Sequence, residues 1–176
     1  MDVDLEQWLA EEREVRERVA RAGFGLASPT QARSSAGLDL LRSMLAGEVP
    51  APPIAHTLDY MLLHVDKGHA IFQGTPAVAH LNPMGTVHGG WITTLLDSAM
   101  GCAVHTTMDP GRSYTTTDLS VRFVRALFPK VQRVRAEGRI VHAGRQIATS
   151  EARLYGSDGK LYATSTCTCL CFDLPG

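Results

Sequence analysis

The sequence predicts one α+β domain, in which a curved antiparallel sheet wraps around a single buried helix behind a helical N-terminal extension. Three observations support this prediction. Apolar residues cover most of the circumference of a helical segment from Gly89 to about Thr106, which is typical of a buried helix. Two short strand patterns precede it, between Leu58 and about Gly74, and four long ones follow the Asp109-Pro-Gly turn. The length of 176 residues favours one domain with a substantial core.

Residues 1–55 are predicted to form the extension, and residues 56–174 the domain. Within residues 4–22 the apolar side chains recur on one helical face, with glutamate and arginine elsewhere: Leu5, Trp8, Val15 and Val19. The charged residues favour a solvated face, although a role in assembly is open. A second helix is predicted over residues 37–46, and the prolines between residues 50 and 53 predict a stiff connector.

The strand predictions rest on alternation and on turn residues. Inward positions are predicted at two sets of residues: Leu119, Val121 and Phe123, and then Val134, Ala136, Gly138 and Ile140. Ala143-Gly144 and residues 156–159 predict hairpin turns between the last three strands. The final strand is predicted over residues 161–172.

Charge and composition exclude several classes of function. The net charge of -1 argues against nucleic acid as the main partner. No segment approaches the roughly 20 apolar residues that a membrane-spanning helix needs. The acidic N-terminus lacks the pattern of a secretory signal, so we expect a cytoplasmic protein without a membrane partner.

The cysteines predict a core role. Cys167, Cys169 and Cys171 alternate along the last predicted strand and therefore share one face, whereas Cys102 lies in the buried helix. A zinc site would need a fourth ligand nearby and a familiar spacing, and neither is present. We therefore expect reduced thiols packed in the core, no disulfide, no metal site and no cofactor.

The main chemical signal lies at the start of the buried helix. His88, Gly89 and Gly90 form the turn that opens it, and Asp97 is its one carboxylate. Unpaired N–H groups at a helix N-terminus suit developing negative charge, and glycines allow close approach to that backbone. A carboxylate in an apolar helix is costly unless it is paired or functional. Together they predict acyl-transfer chemistry.

The spacing of this motif predicts a dimer. Eight residues separate Gly89 from Asp97, about 12 Å along a helix axis, so one carbonyl group cannot contact both on the same helix. A second copy could place its Asp97 opposite the glycine turn of the first. The sequence therefore predicts a symmetric dimer with two shared sites.

Over residues 57–172, the chain resembles hotdog-fold acyl-CoA thioesterases of the phenylacetate-pathway (PaaI-like) family. The matching motif is Asn82…Gly85-x-x-His88-Gly89-Gly90-x6-Asp97…Gly101. Further matching segments are residues 115–123, Ala126-Leu-Phe-Pro129 and Ala143-Gly144-Arg145. The resemblance implies a hotdog fold, hydrolysis of an acyl-CoA to the free acid and coenzyme A, sites between subunits, and a homotetramer built as a dimer of dimers.

The resemblance also implies roles for individual residues. The Gly89 or Gly90 N–H binds the thioester oxygen, and Asp97 acts as general base or as nucleophile. Asn82 holds the substrate carbonyl or the water, unless it is only a turn residue before Pro83. His88 either donates a hydrogen bond to the thioester or braces its loop.

Three assignments are less specific to the motif. Thr116 either positions the water or is an ordinary strand residue. Because coenzyme A carries phosphates, Arg145 and Arg112 are candidates at the mouth of the site, although both could simply be solvated.

Two other functions compete with thioester hydrolysis. A hotdog hydratase needs a histidine and an acidic residue at a different spacing, which His88 and Asp97 fit less well. A non-catalytic acyl-CoA sensor is expected to lack the carboxylate or to carry a DNA-binding appendage, whereas Asp97 is present and residues 1–50 are not notably basic.

Overall fold

The computed structural model describes residues 4–175, which form five helices and six strands. The helices are α1 (Leu5–Val19), α2 (Pro29–Ser34), α3 (Gly37–Ala46), α4 (Pro53–Thr57) and α5 (Gly89–His105). The strands are β1 (Tyr60–Asp66), β2 (His69–Gly74), β3 (Arg112–Phe123), β4 (Val134–Ala143), β5 (Ile147–Gly156) and β6 (Leu161–Asp173). The predicted helices and strands are present, and each boundary lies within a few residues of its prediction.

All six strands form one antiparallel sheet in the order β1-β2-β4-β5-β6-β3. The sheet wraps around α5, which confirms the predicted α+β hotdog architecture. The long strand β3 pairs only with β6 and forms one edge of the sheet.

Helix α5 is the centre of the core because its apolar residues are removed from solvent on nearly every side. Four of its large side chains have a relative exposure of zero: Leu95, Leu96, Met100 and Val104. Gly138 on β4 allows the closest approach, since a Cβ atom there would collide with the Ala99 carbonyl group. The missing side chain therefore lets the backbone of α5 lie directly on the sheet.

A bulge in β3 changes which residues face inward. The register shifts between Thr116 and Asp118, so the half-buried positions are Tyr114 and Thr116 before the bulge and Leu119 and Val121 after it. The inward prediction for Leu119 and Val121 is confirmed. Phe123, predicted to alternate inward, is instead 54% exposed because it lies at the end of the edge strand.

The N-terminal extension contains two short helices that the alternation pattern did not predict. Helix α2 starts with a capping box, in which Ser28 and Gln31 exchange hydrogen bonds, and α4 starts with Pro53. The connector predicted from the prolines thus ends in a helical turn. The boundary between residues 55 and 56 remains a prediction, since the extension and the sheet pack together.

Helix α1 covers the outer face of the sheet, opposite α5, and one buried carboxylate anchors it there. Glu12 is 4% exposed and accepts hydrogen bonds from Arg133 Nε (2.5 Å), Arg16 Nε (2.7 Å) and Gln73 Nε2 (2.8 Å). Burial by itself would raise the pKa of Glu12, but these three donors outweigh it and lower the pKa. The charged face of α1 is therefore partly a packing surface.

The cysteines pack as predicted, since Cys167, Cys169 and Cys171 are buried free thiols on β6.

Within residues 4–175, no helix is long and apolar enough to cross a membrane.

Replacing Glu12 is expected to destabilise the fold, because the buried carboxylate is the acceptor for Gln73 and the ion-pair partner of the largely buried Arg133. We expect Glu12→Gln to lower the free energy of unfolding by about 3 kcal/mol, measured by urea denaturation at pH 7. Because the folded pKa of Glu12 is lowered, its contribution is present above its unfolded pKa and is lost as pH falls through the folded value. The difference between the variant and the wild type should therefore shrink in acid.

Glu14→Gln is the matched control, since Glu14 is exposed and lies 4.0 Å from Arg18. Exposed pairs contribute about 0–1 kcal/mol. Equal stabilities for the two variants would contradict the anchoring role of Glu12.

Candidate functional site

The carboxylate of Asp97 is oriented by strand β3. Thr116 Oγ1 donates a hydrogen bond of 3.0 Å to Asp97 Oδ1, and both residues are only partly buried. This contact joins the middle of α5 to the strand just before its bulge. The structure therefore brings together two of the residues proposed from the sequence, and it leaves Asp97 Oδ2 free of protein hydrogen bonds within residues 4–175.

At the start of α5, the Gly90 N–H donates a hydrogen bond within residues 4–175, and the Gly89 N–H does not. His88 is the N-cap residue, and its Nδ1 accepts a 2.8 Å hydrogen bond from the Gly90 N–H. Because Nδ1 is the acceptor, the neutral ring carries its proton on Nε2. Among the described residues, the Gly89 N–H has no acceptor. His88 thus braces the turn, and Gly89 presents the available donor.

Asn82 organises the loop that leads into this turn. Its side-chain oxygen accepts hydrogen bonds from the backbone N–H groups of Met84 (3.0 Å) and Thr86 (3.2 Å), and its Nδ2 donates to Thr86 Oγ1 (2.8 Å). A side chain with this many partners in its own loop is a turn residue. The geometry thus favours the turn interpretation of Asn82 over contact with substrate.

An open groove of about 410 Å³ runs beside the helix N-terminus. Asn82, Gly89 and Phe123 line it together with residues 124–127. The Phe123 ring lies against Gly89, where a Cβ atom would be 2.9 Å from the ring. The sequence indicated Phe123 only as one residue of an alternating strand and missed its position at the turn, which depends on how β3 meets α5.

The two parts of the candidate site do not meet within one chain. Asp97 lies midway along α5, with Thr116 of β3 against it, whereas Asn82, His88, Gly89 and Gly90 lie at the start of the helix. The helix is continuous from Gly89 to His105, so the separation of about 12 Å predicted from the sequence is retained.

The two arginines predicted to bind phosphate lie together at the far end of β3. Arg112 and Arg145 line one open groove of about 990 Å³, and Arg112 donates to the Arg145 carbonyl oxygen. Arg112 also pairs with Asp173 at 3.2 Å, which offsets part of its charge. The exposed Arg145 forms no ion pair within residues 4–175, so it is the freer cation of the two.

Two partly buried residues near Asp97 were not proposed as site residues from the sequence. Tyr114 shares the inward face with Thr116, two residues away, and its hydroxyl lies where a Cβ at Gly101 would be 2.5 Å from it. Cys102 follows one turn beyond Asp97. The alternation that selected Thr116 also placed Tyr114 on this face, so the signal for Tyr114 was present.

The described residues contain no group of three or more histidine, cysteine, aspartate or glutamate side chains arranged to hold a metal ion. The groups that the site itself offers to chemistry are a carboxylate, a hydroxyl and backbone N–H groups.

Comparisons with known proteins identify the family. The family model described as the thioesterase superfamily matches residues 84–163, which include α5 and the carboxylate. The phenylacetic acid degradation-related protein of Ralstonia eutropha JMP134 is 34% identical, with a TM-score of 0.67 over 73% of this chain and 97% of that one. This chain belongs to the hotdog-fold thioesterase superfamily.

Two further solved proteins have the same fold. The phenylacetic acid degradation protein PaaI of Thermus thermophilus, solved as a point mutant, is 29% identical with a TM-score of 0.60. That match covers 67% of this chain and 97% of the other. The smu.793 protein of Streptococcus mutans UA159, solved bound to acetyl-CoA, is 24% identical with a TM-score of 0.60 over 66% of this chain and 91% of that one. No curated protein sequence matches this chain significantly.

The two interpretations of Asn82 predict different effects on stability. If Asn82 holds the loop, Asn82→Ala should lower the free energy of unfolding by about 1–2 kcal/mol, because two N–H groups lose their acceptor. Asn82→Asp keeps that acceptor and should retain most of the stability. Thermal or urea unfolding measures both, and an unchanged stability for Asn82→Ala would contradict the turn role.

Proposed function

We propose that this member of the thioesterase superfamily hydrolyses acyl-CoA thioesters to the free acid and coenzyme A. The observation that carries the proposal is the hydrogen bond from Thr116 of β3 to Asp97 of the apolar α5. The N-terminus of the same helix offers the Gly89 N–H, which has no acceptor among residues 4–175. A thioester needs a group that attacks or activates water, and a donor for the oxygen that becomes negative in the tetrahedral intermediate.

In the proposed mechanism, the thioester carbonyl oxygen accepts a hydrogen bond from the Gly89 N–H at the positive end of the helix dipole. Asp97 either removes a proton from the attacking water or attacks the carbonyl carbon itself. Thr116 holds one carboxylate oxygen, so the other is directed at the reacting group. The thiolate of coenzyme A then leaves without a strong acid to protonate it.

In this proposal, His88 and Asn82 hold the helix N-terminus in place, so that the Gly89 N–H can donate to the oxyanion. His88 holds the Gly90 N–H through Nδ1, and Asn82 shapes the loop before it. The proposal therefore assigns the oxyanion contact to Gly89 in this conformation, while Gly90 supplies the close backbone approach.

We infer that each site is shared between two copies of the chain. The separation of about 12 Å between Gly89 and Asp97 is too long for one thioester carbon, and helix α5 is rigid. The edge strand β3 carries unpaired backbone groups over 12 residues, beside Thr116 and Phe123, which is a favourable surface for pairing with a second β3. A twofold pairing there would bring the turn of one chain toward Asp97 of the other.

The proposal also includes how coenzyme A is bound and how many chains assemble. The acetyl-CoA bound to the smu.793 protein, a member of the same fold, supports a coenzyme A thioester as the ligand. Arg145, with help from Arg112, is the proposed contact for its phosphates. A homotetramer and a cytoplasmic location follow from the family resemblance and the sequence alone.

One prediction of the proposed function concerns the carboxylate of Asp97. Asp97→Asn should lower kcat for acyl-CoA hydrolysis by roughly 100-fold or more, because the amide neither attacks nor accepts a proton. Thiol release from a panel of acyl-CoAs measures it, and calorimetry checks that the variant still binds. Asp109→Asn, at an exposed turn, is the control and should retain full activity. Activity that survives in Asp97→Asn would exclude the mechanism.

The second prediction concerns sharing between chains. Gly89→Pro removes the Gly89 N–H, and proline is well accommodated at the first residue of a helix. Its Cβ would lie 2.9 Å from the ring of Phe123, which is 54% exposed and has room to move. His88 already has the extended backbone that precedes proline, with φ −61° and ψ 134°. Each variant alone, Gly89→Pro or Asp97→Asn, should be inactive.

Refolding the two variants together should restore about a quarter of the wild-type activity, because half of randomly formed dimers are mixed and each mixed dimer has one intact site of two. No recovery, with mixed dimers verified by mass spectrometry, would show that each site lies within one chain.

A further inference from the structure

An apolar cavity of about 230 Å³ lies between the C-terminal half of α5 and the N-terminal helices. Leu41, Met44 and Leu45 of α3 line one side of the cavity, and Cys102 and Tyr114 line the other. Neither Asp97 nor Gly89 lines it. Residues of the extension that precedes the hotdog domain therefore form much of its wall.

The cavity begins close to the proposed catalytic carboxylate. Tyr114 lies two residues from Thr116 on the same face of β3, a distance of about 7 Å along the strand. Its hydroxyl contacts Gly101, one helical turn beyond Asp97. Burial first, and then the charge of Asp97, raises the pKa of Cys102 to about 12. Tyr114 thus lines the cavity and lies next to the residue pair of Asp97 and Thr116, at the end where an acyl chain would enter.

The polar side chains in the cavity wall are uncharged at neutral pH. Burial raises the pKa values of Tyr114 and Cys102, so both keep their protons, and burial lowers the pKa of His105, so its ring stays neutral. Among the described residues, the Tyr114 hydroxyl has no hydrogen-bond partner. A cavity of this kind excludes charged ligands and favours apolar ones.

We propose that the cavity receives the distal carbons of the substrate's acyl chain, so that the N-terminal extension sets the chain-length preference. This inference rests on the proposed thioesterase function. A cavity of about 150 Å³ holds the six carbons of benzene, so a cavity of about 230 Å³ accommodates about nine. About four further carbons are needed to cover the helical turn of roughly 6 Å between Asp97 and Tyr114. The preferred substrate is therefore a linear acyl-CoA of about 12–14 carbons.

This arrangement discriminates against short and compact acyl groups. A butanoyl chain ends before Tyr114, and a phenylacetyl ring reaches only the mouth of the cavity. Each methylene buried in the cavity should strengthen binding by up to about fourfold, until the cavity is full.

The test uses the full chain carrying Asp97→Asn, so that binding is measured without turnover. Calorimetry with butanoyl-, phenylacetyl-, dodecanoyl- and octadecanoyl-CoA gives the chain-length profile. Dodecanoyl-CoA should bind at least about 10-fold more tightly than butanoyl- or phenylacetyl-CoA and more tightly than octadecanoyl-CoA. Equal affinities across the series would overturn the inference.

Two substitutions at one position test the cavity from opposite directions. Met44→Trp fills it and should move the preferred chain length down by at least two carbons, whereas Met44→Ala enlarges it and should move the preference up. Neither should change the affinity for butanoyl-CoA. Leu26→Trp, at a side chain that is 81% exposed, is the control and should leave the profile unchanged.

The outcomes separate the two proposals. A preference that follows cavity size in binding, together with no thiol release by the wild type, would retain the acyl site and refute hydrolysis. Thiol release with a profile that neither Met44 substitution moves would retain hydrolysis and refute the acyl site. If Met44→Trp binds no acyl-CoA at all, the result of Met44→Ala decides. A shift of the preferred chain length to longer chains in Met44→Ala retains the inference, and no shift overturns it.

Discussion

The burial of one apolar helix against one sheet is the interaction on which the rest of this structure depends. Helix α5 has four large side chains with no solvent exposure, and Gly138 lets its backbone lie directly on β4. Burying such side chains stabilises a fold by roughly 2 kcal/mol each. The same burial immobilises the helix, because a close-packed interior leaves little room for rotation or sliding. Everything attached to α5 is therefore held at a defined place.

That rigidity explains both the strength and the incompleteness of the candidate site. The helix holds Asp97 against Thr116 and presents Gly89 at its start, so the two groups are well oriented before any substrate binds. It also keeps them about 12 Å apart. A site that uses both needs a second copy of the chain, and the unpaired edge of β3 lies beside the residues that would meet. In the proposed function, catalysis and assembly are linked through the geometry of a single helix.

The N-terminal extension completes the domain on two sides. On the outer face of the sheet, Glu12 connects α1 to Arg133 and Gln73 through buried hydrogen bonds. Near the C-terminal end of α5, helix α3 closes a cavity whose far wall is Tyr114. The region shared with the superfamily carries the chemical groups, and the extension shapes the space next to them.

Much of this fold could be predicted from the sequence because its signals are local. The all-round apolar pattern of α5, the alternation in β4 and the glycine turns each depend on a few neighbouring residues. The motif of His88, Gly89, Gly90 and Asp97 also predicted acyl-transfer chemistry and a site shared by two chains, and both stay predictions. The short helices α2 and α4 were not predicted, because capping and proline contacts rather than periodicity define them.

Tertiary structure decided the features that depend on how distant segments meet. The bulge at Thr116 turns both Thr116 and Leu119 inward, which strict alternation forbids, and so places a hydroxyl on Asp97. Asn82 uses its side chain within its own loop, and Arg112 is offset by Asp173 across the sheet. By itself the sequence determined the helix, the strands and the reactive groups, since local spacing specifies them. Only the packing determined which groups are paired, which are free and where the cavity lies, since those depend on contacts between residues far apart in the chain.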